Sequence, residues 1–158
     1  MKIRKIQPQD RAGLKALIEA QEHFTREERN VALELIDIVL THSAQEDYII
    51  RVAEEPGGGV TGYVCYGKAP LTDAVYDLYW IVVHPAFGRL GTGSSLLHQA
   101  EVDLKRRGAR LLLIETSSKP SYEAARSFYR KHGYQEQARI LDYYSIGDHK
   151  LIFGKNLK

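Results

Sequence analysis

Residues 75–97 read Val75-Tyr-Asp-Leu-Tyr-Trp-Ile-Val-Val-His-Pro-Ala-Phe-Gly88-Arg-Leu-Gly91-Thr-Gly93-Ser-Ser-Leu-Leu97. A β-rich run ends at Pro85, passes three glycines and opens into a helical pattern. Glycine permits positive φ and lets the backbone come close to a ligand. The amides that open a helix have no partner inside it and sit at the positive end of its dipole, which suits phosphate oxygens. The stretch therefore predicts a strand–turn–helix unit that holds a phosphate-bearing ligand.

Working outward, 158 residues with 44% hydrophobic and 27% charged content fit one soluble domain spanning 1–158. The formal charge of +2 is too small to argue for nucleic acid, so no nucleic-acid partner is expected. The charge is uneven: net −2 over residues 1–70 and +4 over 71–158. That split suits a polyanionic ligand beside a cationic substrate. The single cysteine, Cys65, gives neither a disulfide nor a metal-ligand cluster, and no metal is expected. No apolar run approaches the ~20 residues of a membrane span, and the start lacks a signal-peptide core. The expectation is a cytoplasmic protein without a membrane partner.

The pattern predicts a short strand at Lys2–Ile6. A helix capped by Asp10 then carries Leu14, Leu17 and Ile18 on one face. Thr25 and Glu28 form a capping box before a helix to Thr41 with Val31, Leu35, Ile38 and Val39 inward. Tyr48–Glu54 and Val60–Tyr66 flank a glycine-rich turn and read as an antiparallel hairpin. After the strand Val75–Val83, a helix at Ser94–Arg107 stops at Gly108. Arg110–Ile114 is apolar enough to predict a strand buried on both faces. A helix capped by Ser121 runs through His132, and two strands, Gln135–Tyr144 and Leu151–Lys155, close the chain. The fold class is mixed α/β, antiparallel first, with a parallel crossover after Gly93.

Three phosphate-binding motifs compete. A nucleotide P-loop is excluded, because its lysine is absent. A Rossmann dinucleotide site could use Gly91-x-Gly93, with Glu115 near the place of a ribose-binding acid. Its third glycine is replaced by Leu96, and the preceding strands read as an antiparallel meander. The third motif carries a family resemblance. Val83-His-Pro85 followed by Gly88-x-x-Gly91-x-Gly93 resembles the acyl-CoA-binding motif of the GNAT N-acetyltransferases, Gln/Arg-x-x-Gly-x-Gly/Ala after a strand ending Val-x-Pro. Ala125-Arg-Ser-Phe128-Tyr129-Arg-Lys-His-Gly133-Tyr134 resembles that family's Ala-x-x-Phe/Leu-Tyr-x-x-x-Gly-Phe. The element order fits from Met1 to Lys158. Two positions depart: Gly88 replaces the usual Gln/Arg, with Arg89 beside it, and Tyr122 stands where many members carry an Asn that helps hold the cofactor.

The resemblance implies a GNAT-like fold, with a splayed central strand pair and helices on both faces. It also implies acetyl transfer from acetyl-CoA to a primary amine of a small-molecule, peptide or protein acceptor. Backbone amides of Leu90, Gly91, Thr92, Gly93 and Ser94 would hold the pyrophosphate, with Arg89 on the rim. The main chain of Ile81, Val82 and Val83 would pair with the pantetheine arm, and the Val83 N–H would serve as oxyanion donor. The chemistry sets its own demands: an ammonium of pKa ~10.4 must lose a proton, and a thiolate of thiol pKa ~8.5 gains from receiving one. Tyr129 matches the family's acid for the leaving thiolate. Asp77 lies where several members place a base; alternation puts it on one face with Tyr79, Ile81 and Val83. Glu115 is the reserve base, and a water chain alone is the remaining option. Glu22, Glu27, Glu28, Glu34 and Asp142 could attract an ammonium, and Tyr79, Tyr143 and Tyr144 could wall its pocket. A non-catalytic acyl-CoA sensor on the same fold is the alternative, and an exposed final strand offers a homodimer contact.

Overall fold

The computed structural model describes all 158 residues. Seven strands lie in the order β1-β2-β3-β4-β5-β7-β6: β1 Lys2–Lys5, β2 Ile49–Glu54, β3 Val60–Lys68, β4 Val75–Val83, β5 Leu111–Ser117, β6 Gln135–Ser145 and β7 Asp148–Asn156. Four helices connect them: α1 Arg11–Glu19, α2 Arg26–Thr41, α3 Thr92–Arg106 and α4 Glu123–Lys131. The residues group into two units, Met1–Gly67 with Tyr79–Asp103, and Lys68–Leu78 with Leu104–Lys158.

In the first unit β1, β2 and β3 pair antiparallel, as the hairpin signal predicts. Antiparallel strands before the glycine turn remove the β-α-β frame that a dinucleotide fingerprint needs. One face of this sheet, with Ile50, Val52, Tyr63 and Cys65, packs with Val82 against Leu14, Leu17 and Ile18 of α1 and Ala32 and Ile36 of α2. The other face meets α3: a Cβ on Gly62 would sit 3.1 Å from Leu96 and 3.3 Å from Thr92. Tyr66 reaches the same helix, donating to Asp103 at 2.7 Å. Strand β4 does not keep a strict period of two. Tyr79 lies beside Gly67, while Trp80 and Val82 both pack with the α1–α2 cluster.

In the second unit β4 and β5 run parallel from Val75↔Leu111 to Leu78↔Ile114, the crossover the sequence predicts. Strand β7 then pairs antiparallel with both β5 and β6. The final strand is therefore interior, and the exposed edge is β6, every residue of which is open to solvent. This overturns the expectation of an exposed last strand. Strand β5 is also not buried on both faces. Leu112, Ile114 and Thr116 are buried, whereas Leu111 and Leu113 are half-buried and Glu115 is exposed.

Helix ends show where local reading held and where it slipped. Thr25 and Glu28 form the reciprocal capping box, at 3.1 and 2.7 Å. Ala32 and Ile36 are the fully buried residues of α2, Leu35 and Val39 pack against the same cluster, and Val31 points out. The Asp10 side chain does not cap α1. It accepts two hydrogen bonds of 2.8 Å from Arg4 and one of 2.7 Å from the Gln7 amide. Ser121 lies inside a 3-10 turn at Pro120–Tyr122, so α4 starts after it.

Arg4 bridges Asp10 and Glu54 across the β1 end of the sheet. Asp10 is 4% exposed. Burial alone would raise its carboxyl; the hydrogen bonds from Arg4 and the Gln7 amide outweigh this and hold it below the usual range. A depressed carboxylate adds stability above the unfolded-state pKa, lost as pH falls through the folded-state one. Arg4→Met should therefore cost about 3 kcal/mol at pH 7 by leaving a buried charge alone. The deficit against wild type should shrink as pH drops below 4, and urea melts at pH 7 and pH 3 measure both values.

Candidate functional site

The first part of the site is the turn at the end of β4. Pro85–Phe87 forms a 3-10 turn, with the His84 ring accepting from the Ala86 amide at 3.2 Å. Arg89 and Gly91 then take φ of 65° and 81°, and α3 begins at Thr92, two residues earlier than the pattern predicts. The first intrahelical bond is Ser95 N–H to Gly91 C=O at 2.9 Å. The amides of Thr92 and Gly93 precede that bond and have no acceptor in their own helix. A Cβ on Gly91 would touch nothing within 4 Å, so the approach to these donors is open. Leu90 and Arg89 are exposed around it. This donor set, a dipole end with an arginine on the rim, fits the diphosphate of a coenzyme. Thr92 is buried, with its methyl against Gly62, so its contribution is the amide.

The strand before the turn is pinned at one peptide. The His84 N–H donates to Thr61 C=O at 2.8 Å. The Val83 C=O accepts from Gln21 Nε2 at 3.1 Å. Both polar groups of the 83–84 peptide are thus engaged, and the carbonyl oxygen keeps a second lone pair. The Val83 N–H belongs to the preceding peptide and is not affected. Gln21, in the α1–α2 connection, is a residue the sequence analysis missed. It is buried, also donates to Leu17 C=O at 3.1 Å, and accepts from Arg29 at 2.9 Å through its own carbonyl. A glutamine past a helix end carries no periodic or motif signal.

The second unit holds the ionisable residues. Asp77 stands opposite Leu113 in the β4–β5 ladder, and Glu115 follows two residues on, opposite Ile152 of β7. Alternation places Asp77, Leu113 and Glu115 on one face. Lys150 of β7 faces the same way, opposite Ser117 and Ile140, and its Nζ lies 2.9 Å from Glu115 Oε2. The same ammonium sits 4.4 Å over the Tyr143 ring, which meets Tyr144 edge-on at 5.0 Å. Burial, then the Glu115 charge, pushes the Asp77 carboxyl above its usual range, against the pull of Lys150. Burial and Glu115 also raise Tyr144.

Tyr129 is on the other face. Its ring packs 6.2 Å from Phe153, which stands opposite Ile114, and lies edge-on to Phe128 and Tyr134. At 7% exposure, burial pushes its hydroxyl above the usual phenol range, so it holds its proton through neutral pH. Asp77 and Glu115 are therefore brought together, and Tyr129 is separated from them by the sheet. Tyr122 is half-buried at the foot of α4. Arg126, read only as motif filler in the sequence, is buried and donates to Ser117 C=O at 2.6 Å and Lys119 C=O at 2.9 Å, fixing the β5–α4 loop.

A family model described as an acetyltransferase (GNAT) domain matches residues 46–136. Among solved structures, a protein described as a GNAT-family acetyltransferase from Desulfovibrio desulfuricans superposes with a TM-score of 0.95 at 37% identity over 99% of both chains. The ribosomal-protein-S18-alanine N-acetyltransferase of Escherichia coli gives 0.77 at 19% identity, covering 99% of this chain and 94% of its own. An aminoglycoside 6'-N-acetyltransferase complexed with coenzyme A gives 0.77 at 16%, covering 100% and 98%. The last two show likeness of fold alone. No curated protein sequence matches the chain.

Gln21→Leu should leave the Leu17 and Val83 carbonyls unpaired, at a cost of about 1–3 kcal/mol. Amide exchange at His84 should quicken beyond the global loss of stability, because the 83–84 peptide loses its second anchor. Exchange that tracks only the global change would mean the anchor does not hold that peptide.

Proposed function

The chain belongs to the GNAT acetyltransferase family and is an acyltransferase, and on that premise we propose that it acetylates a primary amine of a small molecule, peptide or protein with acetyl-CoA. The observation that carries the reading is the turn at Gly88–Gly91, whose two positive-φ residues lead into the open N-terminus of α3. The amides of Leu90, Gly91, Thr92, Gly93 and Ser94 are assigned the diphosphate, with Arg89 on its rim and Tyr122 as a further contact. The main-chain groups of Ile81, Val82 and Val83 are assigned the pantetheine arm, the Val83 N–H being kept for the oxyanion.

Bound acetyl-CoA supplies an activated thioester. The chain's residues then have three tasks. Asp77 takes the proton that the acceptor ammonium must lose. Its raised proton affinity and lack of an ion-pair partner favour it over Glu115, whose oxygen is engaged by Lys150. The Val83 N–H meets the oxygen that gains negative charge as nitrogen attacks the acetyl carbon. Tyr129 delivers its proton to the sulfur as the C–S bond breaks. Like any phenol it holds its proton at neutral pH, and the role rests on the match of Tyr129 to the family's motif at its spacing to Gly133.

A non-catalytic acyl-CoA-binding module is the alternative; the presence of both Asp77 and Tyr129 favours the enzyme. We assign the cytoplasm as the working location and a homodimer as an open assembly. No helix is long and apolar enough to cross a membrane.

Calorimetry and thermal shift should show binding of acetyl-CoA and CoA, and none of NAD or ATP. Absence of CoA binding would overturn the proposal. Tyr129→Phe should lower turnover by about 10²-fold with acetyl-CoA affinity nearly intact. Equal turnover would remove Tyr129 from the reaction. Binding without turnover against a panel of amines would move the chain to the sensor reading.

A further inference from the structure

Two carboxylates on neighbouring strands of one sheet face raise the question of which takes a proton. The geometry is unequal. Glu115 is exposed, and one oxygen lies 2.9 Å from Lys150 Nζ. Asp77 is half-buried and has neither an ion pair nor a hydrogen bond at its carboxyl. Lys150 is held from two sides, by Glu115 and by the Tyr143 ring at 4.4 Å, and only 12% of its side chain is exposed. A long cationic chain fixed in this way has given up its rotamer freedom for a single position.

We propose that Lys150 is a positioning residue: by engaging Glu115 it leaves Asp77 as the one carboxylate on this face able to accept a proton from an acceptor amine. The inference rests on the amine-acetylation reading for its consequence, though the charge coupling itself does not. The charged groups that act on Asp77 are Glu115 of β5 and Lys150 of β7; Tyr143 and Tyr144 of β6 act on Lys150, and Asp148 acts on Tyr144. Among them Lys150 is the one cation. Without it, Glu115 presents an uncompensated charge to Asp77, and both carboxylates compete for the same proton, as like charges at short range do. With it, the face carries one available negative charge, which matches a single ammonium.

Carbon-13 NMR of the carboxyl groups in the full-length protein tests this, with D77N used to assign the Asp77 resonance. In K150M the Asp77 titration midpoint should rise by about one pH unit, the size expected for losing one partly screened charge. K150R should return it to the wild-type midpoint, because the charge is restored. E115Q should lower it. An unchanged midpoint in K150M overturns the inference. Should K150M not fold, an unchanged midpoint in E115Q overturns it from the other end. The titration reads Asp77 whether or not acetyl groups move. A chain that binds no CoA in calorimetry would therefore lose the proposed reaction while the coupling still stood or fell on its own.

Discussion

The first turn of an α-helix cannot satisfy its own amide donors, and here that deficit stands at the end of β4. The chain must leave a strand, reverse within the turn at Gly88–Gly91, and enter a helix whose Leu96, Leu97 and Ala100 are all buried. Burying those residues fixes the helix axis. Once the axis is fixed, the unpaired amides have one direction to face. Arg89 and Gly91 at positive φ are what the reversal costs, and of the two only Gly91 takes it without steric strain. The open donor set proposed for the diphosphate is thus a by-product of packing α3 against Gly62, where any side chain would meet the Val82 carbonyl at 2.9 Å.

The sheet of the second unit is unequal in the same constructive way. Leu112, Ile114, Leu151 and Phe153 bury one face, together with Tyr129 of α4. The opposite face keeps Glu115 open and Leu113 half-covered. A face that no apolar layer seals can hold ionisable groups, and Asp77, Glu115 and Lys150 occupy it. Tyr129, on the sealed face, is kept neutral by an apolar cage that disfavours the phenolate, and burial is also the first cause of the raised Asp77 carboxyl, with the Glu115 charge second. A raised proton affinity suits the group that takes a proton, which is Asp77 in the proposed reaction.

Much of this was readable in the sequence, and the reasons are local. Thr25 and Glu28 form their capping box because both partners lie within one turn. Gly108 at φ 79° ends α3 as a C-terminal glycine should. The hairpin and the parallel crossover followed from turn residues and loop length. What escaped reading depends on partners distant in sequence. Asp10 looks like a helix cap until Arg4 claims both its oxygens. Val31 looks inward until the packing centres α2 on Ala32 and Ile36. Arg110–Ile114 looks doubly buried because apolar composition does not reveal that one sheet face is only partly covered. The interior position of β7 is a matter of strand order, which no local pattern encodes. Gln21 and Lys150 were illegible for the same reason, since each is defined by a partner 62 or 35 positions away.

Three buried charges of this protein follow one rule, and one half-buried charge does not. Asp10 is held by Arg4; Asp148 accepts from Ser117 Oγ and lies 3.5 Å from Lys119; Arg126 is satisfied by Glu123 and two carbonyls. Each such group would cost several kcal/mol if left alone, so pairing is the expected state. Asp77 breaks the rule. It is half-buried, carries a neighbour of its own sign, and has no donor at its carboxyl. A carboxylate whose proton affinity is raised by the fold costs stability at neutral pH. Residues that stand against the stability of their surroundings concentrate where proton transfer needs them. That cost, set beside three buried charges that are each fully matched, is the physical reason to place the base at Asp77 and not at the better-stabilised Glu115.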